Sequence, residues 1–357
     1  MSGDSRAFDR GMERLQLISP RRGSCAAVRG GTATVLAGVF VLLFAALVSL
    51  LWALIAGEVS VPFAELLGVL AGDRGSFSAS IILELRLPRA LAAFACGGLL
   101  ATAGALMQVL LRNPLADPYI LGISGGAAVG ALGAMVLGAA MFWVDVSAFA
   151  GALAAMLLVF GLAHGDGSWT QTRLLLTGVI VAAGCGAAVS LMLALAPDTR
   201  VMSMLFWMMG DASAAARPWP ALVVLALALV AVMPFARDLN VLARGELTAR
   251  ALGVRVGHLR VALYVLASLL TATAVTLVGS VGFVGLVVPH LVRLALGNDQ
   301  RVLIPAAALA GGTLLTLADT AARTVMAPQQ LPVGVLTALI GVPVFLFLLS
   351  RSPRGTP

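Results

Sequence analysis

Residues 237–260 read R-D-L-N-V-L-A-R-G-E-L-T-A-R-A-L-G-V-R-V-G-H-L-R, and the prediction of the fold starts from this segment. It carries five arginines and lies between a charge-free run, residues 218–236, and a longer one that begins at Val261. The chain of 357 residues is 60% hydrophobic and only 11% charged, and a charged side chain inside a bilayer costs several kcal/mol. We therefore expect membrane spans on both sides of this segment. The segment itself should stand outside the bilayer, where another protein can contact it.

Charge-free runs mark the membrane spans, because a bilayer core requires about 20 apolar residues per helix. The mean hydropathy of +1.03 is far above that of soluble proteins. Nine runs are visible, at residues 30–57, 90–111, 118–144, 146–163, 174–197, 218–236, 261–292, 302–318 and 324–350. The run 261–292 is too long for one helix and contains G-S-V-G-F-V-G, so it predicts two short helices. The expected fold class is all-α, a polytopic membrane protein with about ten transmembrane helices.

The arginines predict the orientation of the chain, since short cytoplasmic loops are enriched in positive charge. With the N-terminus inside and every run crossing the bilayer, 17 of the 23 basic residues fall on the cytoplasmic side. We expect both termini and residues 237–260 to be cytoplasmic. The chain then divides into an arginine-rich tail (1–29), a transmembrane domain (30–351) and a second tail (352–357). The net charge of +7 reflects this topology and contact with lipid, and gives little reason to invoke nucleic acid.

Glycines and prolines predict the shorter helices. Residues 238–256 break at Gly245 and Gly253, and glycine commonly ends a helix. We expect two short cytoplasmic helices there, called the coupling helices below. The same reasoning predicts an outer helix around 62–70, a second span that starts at Pro88, a half-helix lying at one face at 201–210, and a last helix that begins near Pro332 or Val333.

Small residues recur at every fourth position in the second and third spans. The series are Gly97, Ala101 and Ala105, and then Gly126, Gly130, Ala134 and Gly138. Such spacing lets helix backbones approach closely, which is how helices associate in lipid. We expect these faces to be packing surfaces.

Missing residue types exclude several kinds of chemistry. All 23 basic residues are arginine, so the lysine of a Walker phosphate-binding loop is absent and any ATP hydrolysis must occur on another polypeptide. Acidic residues such as Asp145 fall between the runs, and only Asp319 lies near the end of a span, which argues against a proton-driven carrier. The three cysteines and three histidines show no ligand spacing. We expect no metal, no cofactor and no enzymatic activity on this chain.

Five ordered blocks carry a resemblance to a known family. They are L-R-L-P-R (85–89), G-A-L-M-Q-x-x-x-R-N-P-L-A-D-P-x-x-L-G (104–122), L-N-x-L-x-x-G-E-x-x-A-R-x-L-G-V (239–254), G-F-V-G-L-V-V-P-H-L-V-R (282–293) and A-D-T-A-A-R…L-P-V-G-V-L-T-A-L-I-G-V-P-V-F (318–345). Over roughly residues 35–350 the chain resembles the permease subunits of type II ABC importers for cobalamin, ferric siderophores and haem.

The resemblance implies an assembly in the bacterial inner membrane. It implies a homodimer of this chain with two separate ATP-binding subunits, which hold ATP and Mg²⁺, and with a periplasmic substrate-binding protein. Transport would proceed by alternating access along a path between the two fifth and two tenth helices.

Site residues are carried over by position from the resemblance. The outer arginines that would dock acidic residues of the binding protein are Arg86, Arg89 and Arg323. The cytoplasmic gate would comprise Asn113, Leu115, Thr170 and Thr172. Contact with the ATP-binding subunit would involve Leu239, Arg244, Glu246, Ala249, Arg250 and Leu252.

Several alternatives stay open on the sequence. Haem is the leading cargo because of the methionine-rich half-helix and the apolar path, although core packing is the commoner use of such methionines, and a ferric siderophore or cobalamin is possible for the same importer type. Arg89 fits a lipid headgroup anchor as well as a docking contact. Outside this class, a secondary transporter would need a carboxylate or sodium site in the membrane. An integral membrane enzyme would need a cluster of His, Asp or Glu on facing helices.

Overall fold

The computed structural model of the chain describes residues 32–351, apart from 58, 60, 164–169, 214 and 216. The expected tails, residues 1–29 and 352–357, lie outside the described residues. Every regular element in the described part is helical, which confirms the all-α fold class. The first helices are α1 (Thr32–Ile55), α2 (Phe63–Leu70), α3 (Phe77–Ser80), α4 (Leu87–Leu110), α5 (Ile123–Val136), α6 (Met141–Ala163), α7 (Gln171–Leu195) and α8 (Asp198–Met209). They are followed by α9 (Trp219–Val232), α10 (Ala236–Ala243), α11 (Glu246–Ala251), α12 (Val256–Val278), α13 (Val284–Leu296), α14 (Gln300–Thr324) and α15 (Val333–Arg351).

Ten of these helical stretches are candidates for the membrane-embedded part. Seven of them are long and apolar enough to cross a bilayer, namely Ala33–Ile55, Phe77–Leu110, Met141–Ala163, Gln171–Leu195, Trp219–Ala243, Val256–Val278 and Gln300–Thr324. Three shorter apolar helices accompany them, at Ile123–Val136, Val284–Leu296 and Val333–Leu348. The total agrees with the expected number of about ten, but three of the helices are too short to cross an average bilayer unaided.

The third expected span is wrong in its boundaries. The run 118–144 contains a short 3₁₀ turn at Pro118–Leu121, then α5, which ends before Gly138 with its backbone φ of +75°. Helix α6 begins at Met141, so Asp145 lies inside a span and not between two spans. The left-handed Gly138 closes α5 after four turns, and an unbroken apolar run gives no sign of such a stop.

The run 261–292 also differs from its prediction. Only the helix in its second half is short. Helix α12 extends over Val256–Val278 and is long and apolar enough to cross the bilayer by itself, and α13 follows after a break at residues 279–283. Helix α12 begins ahead of Arg260, whose side chain is buried against Glu246 at 2.6 Å. That pairing lets a charged residue lie within the first turns of a span, which a search for charge-free runs does not anticipate.

Pro88 does not start the second span. The helix is continuous from Phe77 to Leu110 and passes through a π-helical segment, Ile81–Arg86, just before the proline. A proline ring clashes with the carbonyl four residues earlier, here that of Glu84. The wider π turn accommodates this clash, as the Leu87 N–H bonds to the carbonyl of Ile82.

Helix α4 forms the centre of the molecule. It packs against α12, α13, α14 and α9, while α5, α6 and α7 pack beside one another. In both groups the helix backbones are in close contact at glycines. A Cβ atom added to Gly97 would lie only 2.1 Å from the Gly311 carbonyl oxygen, and a Cβ atom added to Gly130 would lie 2.0 Å from the Ser147 carbonyl oxygen. The small-residue spacing therefore predicted the packing faces correctly.

The shorter elements agree with the glycine and proline signals. The two coupling helices are α10 and α11, with Gly245 (φ +137°) between them and Gly253 (φ +81°) after the second. Helix α10 is the end of the long stretch Trp219–Ala243 and is not a separate rod. The expected outer helix is α2, the half-helix is α8, and α15 begins at Val333.

Candidate functional site

Arg86, Arg89 and Arg323 cluster at the end of the molecule where α4 begins, and two of them approach one buried carboxylate. Asp319 of α14 is 2% exposed. The Nε and Nη2 groups of Arg89 donate to its two oxygens at 3.0 and 2.9 Å. Arg323, one turn further along α14, lies 3.9 Å from the same carboxylate. Arg89 also donates to the side-chain oxygen of Gln330 at 2.8 Å, which ties the turn before α15 to α4.

The same arginines also contact the end of α1. Arg86 donates to the carbonyl oxygens of Leu54 at 2.9 Å and Ile55 at 2.8 Å, and Arg323 donates to that of Ala53. The last carbonyls of a helix have no partner within the helix and carry partial negative charge, so cations stabilise them. The structure therefore brings all three expected docking arginines together, but their side chains are largely buried and already bonded. Their docking role stays a prediction.

The expected gate residues lie on two adjoining segments. Asn113 and Leu115 are in the turn 111–117, called the gate turn here, where the Asn113 side chain accepts from the Leu115 N–H at 2.9 Å. Thr170 caps α7 by accepting from the Arg173 N–H at 3.3 Å, and Thr172 is exposed in the first turn of that helix.

Gln171 joins the gate turn to α7. Its side chain donates to the Leu110 carbonyl at 3.2 Å and accepts from Arg112 Nη2 at 3.3 Å. The resemblance did not single out this glutamine. Its position beside Thr170 and Thr172 was the available signal.

The residues expected to contact the ATP-binding subunit form two groups, one buried and one exposed. Leu239 and Ala249 are fully buried and hold α10 and α11 against the spans. Arg244 and Arg250 are exposed, and Leu252 is 67% exposed. Leu247, which the sequence did not single out, is 84% exposed on the same helix as Arg250.

Glu246 joins the second coupling helix to the transmembrane part. Its two oxygens accept from Arg250 at 2.7 Å within α11 and from Arg260 of α12 at 2.6 Å. Burial raises the pKa of Glu246, but the hydrogen bond from Arg250 and the charge and hydrogen bond of Arg260 outweigh it, so the net pKa lies below its ordinary value. The carboxylate is ionised at neutral pH and fixes α11 to α12.

No metal centre is present in the part of the chain that the structure describes, since no group of three or more His, Cys, Asp or Glu side chains is close enough to hold an ion. The cysteines described there, Cys96 and Cys185, are free thiols. The features left to explain are the arginine cluster, the gate turn and the coupling helices.

Similar known proteins help to interpret these three features. The FecCD transport family matches residues 41–351. The chain is 41% identical to an uncharacterised ABC transporter permease protein of Bacillus subtilis (strain 168), over 77% of this chain and 80% of that protein. It is 42% identical to the hemin transport system permease protein of Yersinia pestis, over 76% of this chain and 83% of that one.

A longer alignment and a solved structure agree with this result. The vitamin B12 import system permease protein of Escherichia coli O127:H6 (strain E2348/69 / EPEC) is 38% identical over 86% of this chain and 93% of its own. An inward-facing structure of a metal-chelate type ABC transporter superposes with a TM-score of 0.76 at 30% identity, over 89% of this chain and 100% of that one. On these grounds the chain belongs to the FecCD transport family.

Proposed function

We propose that this chain is the permease of an ATP-driven importer that carries an iron chelate, with haem as the expected cargo, from periplasm to cytoplasm by alternating access. Two copies of the chain enclose the path in the inner membrane, two ATP-binding subunits bind the cytoplasmic face, and a periplasmic binding protein delivers the cargo. ATP and Mg²⁺ belong to the ATP-binding subunits, since the chain has no lysine for a Walker loop.

The observation that carries this proposal is the exposed second coupling helix. Helix α11 presents Leu247 and Leu252 to solvent, 84% and 67% exposed, beside the exposed Arg250. Large apolar side chains on a short polar helix are expected at a contact surface. Because Glu246 bonds to Arg260 in α12, a partner that moves α11 moves the transmembrane helices as well.

The haem assignment is supported by one apolar groove. A cavity of about 520 Å³ lies between the methionine-rich end of α8 and the first turns of α15. Its lining includes Met208, Met209, Val335 and Leu339. A porphyrin has two large apolar faces, and methionine adapts to such shapes without binding them tightly. The hemin permease of Yersinia pestis is among the similar proteins, while the vitamin B12 permease keeps cobalamin as the alternative cargo, beside ferric siderophores.

The low burial of α7 within the chain supports the homodimer. Only 11% of the residues in its most apolar window are buried within the chain, against 89% for the stretch that contains α4. The exposed side of α7 carries small residues such as Ala183, Gly184 and Ala187, which allow a second helix to pack closely.

An ATP-independent carrier is the alternative of a different class. It requires a carboxylate in the membrane that can bind and release an ion. Asp145 lies inside a span, but only in the second turn of α6, near the end of that helix. Asp319 is buried, but both of its oxygens accept from Arg89 and its charge is compensated. This pairing favours the importer.

Uptake into proteoliposomes tests the proposal. The chain is reconstituted with the ATP-binding subunit encoded beside it, and haem, a ferric hydroxamate and cobalamin are each supplied on the cognate binding protein. We expect ATP-dependent uptake of haem, and its loss in Arg250→Glu, which reverses the charge on the exposed face of α11. Arg74→Glu, at an exposed site on the outer side, is the matched control and should keep full uptake.

Two results would contradict the proposal in different ways. Uptake that persists without the ATP-binding subunit or without ATP would replace the importer with the secondary carrier. Uptake of cobalamin or the hydroxamate in place of haem would keep the importer and change its cargo.

A further inference from the structure

A polar cavity of about 510 Å³ lies at the same end of the molecule as the coupling helices. Three segments form its walls: the end of α4 with the gate turn, the second half of α10, and the turn between α13 and α14. The lining side chains that matter here are Gln108, Arg112, Asn240, Arg244, Arg293 and Asp299. The cavity therefore touches both a coupling helix and the expected gate.

The charges of this cavity do not balance. Three arginines face one carboxylate, that of Asp299. Asp299 accepts from the Asn240 side chain at 2.8 Å and from the Arg301 N–H at 3.0 Å. Within the described residues, none of the three arginines lies within 4.0 Å of a carboxylate. A concave surface with surplus positive charge attracts an anion.

Neutral side chains hold two of the arginines in place. Arg293 Nη2 donates to the side-chain oxygen of Gln108 at 2.7 Å, and Gln108 is 3% exposed. Arg112 Nη2 donates to Gln171 at 3.3 Å. A glutamine oxygen orients a guanidinium group without cancelling its charge. The positive charge of both arginines is thus preserved for another group.

The backbone conformation of Arg112 is a second feature that points to a function of this cavity. Its φ of +46° is left-handed, at the position where α4 ends and the Asn113 N–H reaches back to the Gln108 carbonyl at 3.1 Å. Glycine is the usual residue at this point of a helix end, and a side chain there costs about 1–2 kcal/mol. We take the arginine in this conformation as support for a role of its side chain at the cavity.

We propose that the cavity receives a carboxylate side chain of the ATP-binding subunit, which accepts charge-assisted hydrogen bonds from Arg112 and Arg244. This inference rests on the proposed function, since it requires that subunit at this face. The contact is additional to the one made by α11. It would join α10 directly to the gate turn, so that movement of the ATP-binding subunit reaches Asn113 and Leu115 without passing through the transmembrane helices.

A protein carboxylate suits this cavity better than a lipid phosphate does. Among the lining residues only Val109, Pro114 and Ala243 are apolar, and none offers a large surface for acyl chains. A lipid bound by its headgroup would need such a surface next to the arginines. The nearness of α11, with its exposed leucines, places the cavity beside the expected protein contact.

The absence of lysine provides a direct test. Because the chain has no lysine side chain, Arg112→Lys or Arg244→Lys introduces a single side-chain amine that keeps the positive charge. A water-soluble carbodiimide then forms an amide between that amine and a carboxylate in contact with it. The complex of permease and ATP-binding subunit is treated in detergent and again in vesicles that contain phosphatidylserine, and the products are identified by mass spectrometry.

We expect both variants to yield a product that joins the new lysine to one Asp or Glu of the ATP-binding subunit. In the unchanged chain no product has its amine supplied by a side chain of the permease, since any cross-link there joins a permease carboxylate to a lysine of the subunit. Arg250→Lys, on α11, reports separately on the proposed function. If lysine at 250 is cross-linked to the subunit but lysines at 112 and 244 are not, the cavity is not a contact site and the inference is overturned. Cross-linking only to Asp299, or only to the serine headgroup, overturns it too. If no position reacts and the two chains do not copurify, the proposed function itself fails.

A functional readout accompanies the cross-linking. We expect Arg112→Gln to weaken binding of the ATP-binding subunit roughly tenfold at low salt, and less at high salt, as the loss of a charge pair at an interface does. Arg301→Gln removes a neighbouring exposed arginine that does not line the cavity and is the matched control. Equal affinities for Arg112→Gln and the unchanged chain would overturn the inference.

Discussion

At the scale of single residues, Asp319 is the buried carboxylate on which the arginine cluster depends. Its carboxylate compensates the charge of Arg89 and lies 3.9 Å from Arg323. Arg323 and Arg86 in turn donate hydrogen bonds to the last carbonyl oxygens of α1. A buried carboxylate that loses its charge leaves the arginines around it uncompensated, which costs more than an exposed pair would.

Asp319→Asn is therefore expected to destabilise the protein by about 3–5 kcal/mol, the usual cost of breaking a buried ion pair. Thermal unfolding of the purified protein in detergent measures the loss. Asp73→Asn, at an exposed site on the outer side, is the control and should change stability by no more than about 0.5 kcal/mol. An unchanged midpoint for Asp319→Asn would show that the arginines do not depend on this carboxylate.

Glu246 predicts a pH dependence at the same scale. Its pKa in the folded protein is below the ordinary value of 4.5, so its stabilising contribution is present above that value and is lost as the pH falls through the folded pKa. We expect Glu246→Gln to cost about 1–3 kcal/mol at pH 7, because it leaves the buried Arg260 without its carboxylate, while the exposed Arg250 contributes little. The difference in unfolding midpoint between the two proteins should shrink between pH 5 and pH 3. A difference that stays constant across this range would contradict the assignment.

At the scale of helices, close backbone packing distinguishes neighbouring glycines on α5. A Cβ on Gly130 would lie 2.0 Å from the Ser147 carbonyl oxygen of α6, whereas one on Gly133 would meet only the end of Met192 at 3.8 Å. We expect Gly130→Ala to destabilise by about 1–3 kcal/mol through overpacking. Gly133→Ala, one turn away, should be neutral or stabilising by up to about 1 kcal/mol, because alanine favours a helix. Thermal unfolding compares the two, and equal effects would mean that α5 and α6 do not pack as described.

The sequence predicted some helices well and others poorly, for reasons that individual residues explain. Gly245, Gly253 and Pro332 mark breaks in the chain itself, so α10, α11 and α15 could be placed. The end of α5 could not, because Gly138 lies within an apolar run and its role depends on the left-handed backbone. The early start of α12 depends on a partner 14 residues away, as Arg260 is acceptable in a span only when bonded to Glu246.

The candidate site, like the helices, could be predicted only in part. Most of the expected site residues lie in the quoted sequence blocks, whereas Thr170 and Thr172 lie outside those blocks. Gln171 links the gate turn to α7, so the expected gate residues lie on adjoining segments, and their roles stay predictions. Their local states could not be foreseen. Arg86 is buried on the carbonyls of α1, and the carboxylate that holds Arg89 is 230 residues away in the chain.

At the scale of the whole molecule, the arginine distribution predicts the topology. We expect Arg74 to be outside and Arg244 inside, since short cytoplasmic loops are the arginine-rich ones. The variants Arg74→Lys and Arg244→Lys each introduce one side-chain amine into a chain without lysine. In right-side-out vesicles an amine reagent that does not cross membranes should label the first at once, and the second only after permeabilisation. Labelling of both from the same side would contradict this topology.

The long stretch that contains α4 has a mechanical consequence. A continuous helix of 34 residues, Phe77–Leu110, is about 50 Å long, against about 30 Å for the hydrocarbon core. One end carries the cluster of Arg86, Arg89 and Arg323, and the other leads directly into the gate turn. The helix is buried along most of its length, so its neighbours oppose sideways bending. We expect it to move as a rigid unit, with the π segment before Pro88 as its most flexible point. Force applied at the arginine cluster must therefore bend that segment or be transmitted along the helix to the gate turn.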